Sequence, residues 1–142
     1  MKVTDDEHVH DGKVLPELID DVIKSDKKIT IDRLLADGAY DSNDIFGYLG
    51  DKGIEPCIKV RKNSKVRLKK GNILRNLSVL GQKNDLQNWK DDSVSYGQRW
   101  IVETVFSCLK RRFGEYVYSV KLKNMIQEMV LKASLYNKLI SV

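Results

Sequence analysis

The sequence predicts an α/β fold of short parallel strands with flanking helices, and three observations predict it. Leu15, Leu18, Ile19, Val22 and Ile23 recur at i, i+3, i+4, i+7 and i+8, the mark of one apolar helix face. ITIDRLLAD and IEPCIKV are short apolar runs bounded by turn residues, which read as buried strands. Their order, helix then strand then helix then strand, implies parallel pairing through right-handed crossovers. A length of 142 residues fits one domain with a real core.

The opening segment MKVTDDEHVHDG is polar and ends in a turn signal. His8 and His10 would share a face on a strand, with Asp5, Asp6, Glu7 and Asp11 nearby. A lone H-x-H in a polar connection is weak evidence for a metal site, and we read a strand end running into a loop. In the first helix Pro16 suits the first turn and Lys24, Lys27 and Lys28 suit the end. Asp20 and Asp21 read as part of its solvated face. The first strand ends about Asp37, and Gly38 allows a turn. Asp41, Ser42 and Asn43 offer caps for the helix NDIFGYLGDKG, which Gly53 closes. Pro56 places the second strand near an edge or a bulge. Asp37 then stands at the carboxyl end of a parallel strand, where open α/β sheets place their ligands.

Charge is divided along the chain. The net charge is +5, but residues 1–58 hold 7 Lys+Arg against 14 Asp+Glu, and residues 59–142 hold 18 against 6. An acidic half suits metal ligands and a basic half suits a polyanion. From Lys59 to Arg75 there are eight Lys or Arg and no acid. Arg61 and Lys62, just past the second strand, are the candidate phosphate contacts. Residues 76–94 show no clean period and read as a loop with local packing around Leu80, Leu86 and Trp89. No apolar run is long enough to span a bilayer, and the opening residues do not form a signal peptide. Cys57 and Cys108 lack metal-type spacing and read as buried thiols of a reducing compartment, so we expect a cytoplasmic location.

Residues 96–115 read as one helix. Val102, Val105, Phe106, Leu109 and Phe113 form a stripe expected to be buried. Tyr96, Arg99, Glu103 and Lys110 fall within roughly 60° of one another at about 100° per residue. A carboxylate there suits a metal ion, and Arg99 and Lys110 suit phosphates; an ordinary amphipathic helix with a charged flank also fits. The final helix, within 121–140, carries Met125, Ile126, Met129, Val130, Ala133 and Leu139 at helical spacing, which we read as core.

Two signals then combine. ADGAYDS sets Asp37 at a strand end, and Y-x2-R-x3-E-x6-K is met by Tyr96, Arg99, Glu103 and Lys110. Together, and through HVHDGKVLPELI and LKASLYNKLI, they resemble the DDE transposases of bacterial and archaeal insertion sequences over nearly the whole chain. The resemblance implies an RNase H-like catalytic domain with two Asp and one Glu. Asp37 matches the second Asp and Glu103 the Glu, as catalytic residues and metal ligands. Tyr96, Arg99 and Lys110 match residues that lie against DNA, and Asp41 is expected to be a turn and helix-cap residue. The resemblance also implies Mg²⁺ or Mn²⁺, two ions in a complete enzyme, because carboxylates suit hard cations and two metals roughly 4 Å apart serve phosphodiester cleavage. DNA, as transposon ends and target, is the implied partner, at the nucleoid. The strand bearing the family's first Asp has no match here. The expectation is therefore a single partial catalytic domain over 1–142, truncated at its N-terminus, with little activity and a tendency to self-associate or pair with full-length transposase. A DNA- or transposase-binding inhibitor and a functionless pseudogene product are the alternatives.

Overall fold

The computed structural model describes residues 11–26, 28–92 and 96–141. His8 and His10, with Asp5, Asp6 and Glu7, lie outside the described residues. The chain forms two compact units, divided between Arg99 and Trp100.

The first unit is α/β. Helix α1 spans Asp11–Ser25, strand β1 Arg33–Ala36, helix α2 Asn43–Asp51 and strand β2 Glu55–Ile58. The strands pair in parallel with Leu35 opposite Cys57, as the element order required. Glu55 N–H donates to Asp32 C=O and Lys59 N–H to Ala36 C=O. Odd-numbered residues of β2 thus face β1, and the missing N–H of Pro56 falls on the other edge, where it costs no ladder bond. Phe46, Leu49 and Ile58 are fully buried, and Ile19, Ala36, Ile45 and Ile54 complete the core. Ser42 caps α2 by accepting from Ile45 N–H at 3.2 Å. Gly53 leaves the helix at φ 69°, a backbone state that costs glycine little.

Two expectations for α1 need correction. Pro16 lies inside the described helix rather than in its first turn. Asp20 is not simply solvated, since its Oδ1 lies 2.8 Å from both Tyr48 Oη and Lys52 Nζ. It ties α1 to the end of α2. The Lys52 bond, then the Tyr48 bond, hold its carboxyl below the usual range, and burial together with Asp20 pushes the Tyr48 phenol up to about 12.

The larger correction concerns residues 76–94. Helix α3 runs Ile73–Asn84 and helix α4 Leu86–Asp92. The buried residues of α3 are Arg75, Val79 and Gln82. At 100° per residue these lie within about 60° of one another, while Ile73, Leu77 and Leu80 gather on the opposite side. Those three are 75%, 60% and 47% exposed. Helical periodicity is present, but polar residues carry the inward face, so a search for apolar spacing misses it.

In the second unit, helix α5 spans Trp100–Phe113 and helix α6 Leu122–Ile140, and the two pack together. No residue of α5 is fully buried. Val105, Leu109 and Phe113, spaced i, i+4, i+8, are half-buried, whereas Val102 and Phe106 are exposed. A pair of helices offers each only one covered face, so the wider stripe expected from sequence stays partly wet. On α6 the covered residues are Met125, Ile126, Ala133 and Tyr136, while Met129, Val130 and Leu139 are exposed. Among the described residues no helix is long and apolar enough to cross a membrane.

Candidate nucleic-acid interface

Asp37 follows β1 directly, in extended backbone at φ −89°, ψ −174°. Its Oδ1 accepts from Ala39 N–H at 2.9 Å and so caps the short 3-10 turn Gly38–Tyr40. The next residue has to be small. A Cβ on Gly38 would stand 3.3 Å from Arg61 Cγ and 3.4 Å from Lys59 O. Glycine lets the basic segment after β2 lie against the turn, and Arg61 Nε then donates to Gly38 C=O at 2.7 Å.

That basic segment is clamped from beneath. Asp41, with a fully buried side chain, accepts from Arg75 Nε at 2.7 Å and from Arg61 N–H at 3.0 Å. It also accepts from the Ser64 hydroxyl. Arg75 reaches Ser64 Oγ at 3.2 Å. Farther back, Gln82 accepts from Val60 N–H at 3.0 Å and donates to Ile58 C=O at 2.8 Å. Burial raises the Asp41 carboxyl, but the bonds from Arg75, Ser64 and Arg61 outweigh it and hold the group below its ordinary value. Asp41 is therefore more than a turn residue, and the helix cap is Ser42. Sequence reasoning missed Ser64, Arg75 and Gln82; the only signal was Arg, Val and Gln at i, i+4, i+7.

The clamp sets cations around a shallow cleft. Asp37, Lys59, Arg61, Lys62 and Arg99 all line it. Arg99 closes the 3-10 turn Tyr96–Arg99, which packs against β1. The Arg99 guanidinium reaches Tyr96 Oη at 3.4 Å, and the Tyr96 ring rests on Trp89, centroids 5.1 Å apart. The expected single helix over 96–115 is thus a 3-10 turn followed by α5. Of the residues singled out from sequence, the structure brings together Asp37, Arg61, Lys62 and Arg99, with Tyr96 steadying Arg99. Glu103 and Lys110 belong to the second unit, both exposed and seven residues apart on α5.

The model of one family, described as the transposase DDE domain, matches residues 1–138. The chain belongs to the DDE transposase family. No curated protein and no solved structure matches it.

For this transposase domain a divalent metal is the expected cofactor, and the Asp37 cleft can be tested against it. Asp37 is the one acidic side chain lining the cleft, beside four cations. Among the described residues no three His, Cys, Asp or Glu lie close enough to hold a metal ion. The described cleft does not fit a bare dication; its charge fits an anion such as a phosphodiester. Metal binding by Asp37 and Glu103 therefore rests on the family motif.

Proposed function

We propose that this chain is the catalytic-domain portion, RNase H-like in fold, of an insertion-sequence transposase, and that its Asp37 cleft holds the DNA backbone. The supporting observation is the gathering of Lys59, Arg61, Lys62 and Arg99 around Asp37, built by a buried clamp rather than by a loose charged run. In this reading Arg61 and Lys62 meet successive phosphates. Arg99, steadied by Tyr96, grips one phosphate with its planar fork, and Lys110 contributes a further phosphate contact from α5. Asp37 and Glu103 are the two acidic positions that the motif assigns to metal-dependent strand cleavage and strand transfer, with Mg²⁺ or Mn²⁺ as cofactor. The triad's first Asp has no counterpart in 1–142, so we expect this chain alone to bind DNA and to cleave it poorly. It would act in the cytoplasm, at the nucleoid.

The test is paired. Binding of a labelled duplex is measured against salt, and nicking of supercoiled plasmid is measured with Mg²⁺ or Mn²⁺. Salt-sensitive binding is expected. Metal-dependent nicking that disappears in Glu103→Gln and Asp37→Asn would show the chain to be active after all. Absence of duplex binding at low salt would sink the reading. The cation-rich cleft without a described metal cluster favours a second role: a remnant that occupies DNA or pairs with full-length transposase and inhibits it. Inhibition of an active transposase by added chain, surviving Asp37→Asn, distinguishes that role.

A further inference from the structure

We infer that the connection between α5 and α6 is a stacking platform for unpaired bases. Exposure alternates along it. Tyr116, Tyr118 and Val120 are 75%, 79% and 93% exposed, whereas Val117 and Ser119 are half-buried. Two phenol rings so open to water are usual only where something else covers them.

The segment is nevertheless held fast. Gly114 turns the chain out of α5 at φ 79°, in the left-handed region. The Glu128 carboxylate then accepts from Tyr118 N–H at 3.1 Å, Ser119 N–H at 3.0 Å and Ser119 Oγ at 2.9 Å. Lys132 Nζ lies 2.9 Å from Glu128, donates to Tyr116 C=O at 2.8 Å and stands 5.6 Å from the centre of the Tyr118 ring. These bonds fix the backbone and leave the ring faces open. Little ordering entropy remains to be lost when a ligand stacks on them.

Charge selects the ligand. Arg111 and Arg112 precede the segment and Lys121 and Lys123 follow it, all exposed, against one exposed acid, Glu115. Glu128 is already neutralised by Lys132. Aromatic faces inside a cationic frame match single-stranded nucleic acid, whose bases stack while its phosphates meet the cations. A duplex suits the frame poorly. Its base faces are consumed in its own stack and only their edges reach the grooves. The inference rests on the DNA-handling reading above but uses residues of the other unit.

The experiment compares a fluorescein-labelled dT20 strand with a labelled 20-base-pair duplex, both bound to the full chain at low salt. In the double variant Tyr116→Ala/Tyr118→Ala, dT20 affinity is expected to fall at least tenfold, about the loss of one stacked base, and duplex affinity to hold within twofold. Tyr116→Phe/Tyr118→Phe keeps the rings and is expected to keep dT20 affinity. A 5-iodouracil strand irradiated on the unaltered chain should cross-link within residues 113–121, a readout that needs no variant. Unchanged dT20 affinity in the alanine pair, or cross-links confined elsewhere, overturns the platform and leaves the duplex interface standing. A dimer that the alanine pair dissolves would also overturn it, assigning the rings to a second copy. If the chain binds neither DNA, both readings fall.

Discussion

Arg75 Nε stands 2.7 Å from Asp41 Oδ1, with the Asp41 side chain wholly buried and that of Arg75 only 11% exposed. The pair joins α3 to the turn that starts α2, and through Ser64 and Arg61 it carries the basic segment. Removing one partner strands a buried charge, which costs about 3–5 kcal/mol. Asp41→Asn and Arg75→Met should each lower unfolding free energy by that order in urea. The double variant should lose much less than the sum, because neither charge is then left alone. Additive losses would show that the pair does not act as a unit.

Gln82 serves two backbone groups with one side chain. Gln82→Leu fits the helix but leaves Val60 N–H and Ile58 C=O without that partner. A cost of about 1–3 kcal/mol per orphaned buried group is expected. Amide exchange at Val60 should rise more than exchange at Phe46, since the core of α2 is untouched. Equal rises would point to global loosening instead.

Arg99→Ala and Lys62→Ala remove charge from the cleft without touching its clamp. Each should weaken duplex binding and reduce the slope of log affinity against log salt by about 1. Tyr96→Phe removes the phenol oxygen that Arg99 reaches. It should weaken binding less than Arg99→Ala and leave the slope unchanged. A full salt slope in Arg99→Ala would remove Arg99 from the interface.

Glu128 supplies a pH dependence confined to the second unit. The bond from Lys132, followed by the Tyr118 N–H and the Ser119 contacts, brings its carboxyl from 4.5 down to about 2. A depressed carboxyl stabilises the folded form fully above its unfolded value, and that contribution fades as pH falls through the folded one. The amide signals of Tyr118 and Ser119 should therefore titrate together with a midpoint near 2. In Glu128→Gln they should stay flat. A midpoint at the ordinary carboxylate value would mean that the Glu128 contacts do not form in solution.

The sheet was legible in the sequence because its signals were ordinary: apolar runs, Ser42 and Gly53 at helix ends, and an alternating element order. Asp37 was legible for the same reason, as the residue at which an apolar strand stops. Arg61, Lys62 and Arg99 were legible as charges, although not as neighbours of one cleft. What stayed hidden lies where polar groups are buried. Arg75 and Gln82 look like solvated residues until their partners are known, and Asp41 looks like one more turn aspartate. The clamp is made of contacts between residues 20 or more apart in sequence. The exposed faces of α5 and α6 were misjudged differently. Spacing tells which residues share a side, while burial depends on how much neighbouring surface there is to cover it.

The reversed helix α3 has a consequence for how the protein can drift. Its orientation is fixed by two hydrophilic anchors, and its oily residues pull the opposite way. Losing Arg75 and Gln82 to small apolar residues would leave the amphipathic stripe intact and remove what aims it. The helix could then roll about its long axis and tuck Ile73, Leu77 and Leu80 inward. The cationic rim beside Asp37 would come undone in a chain whose hydrophobic pattern had, by every simple measure, improved.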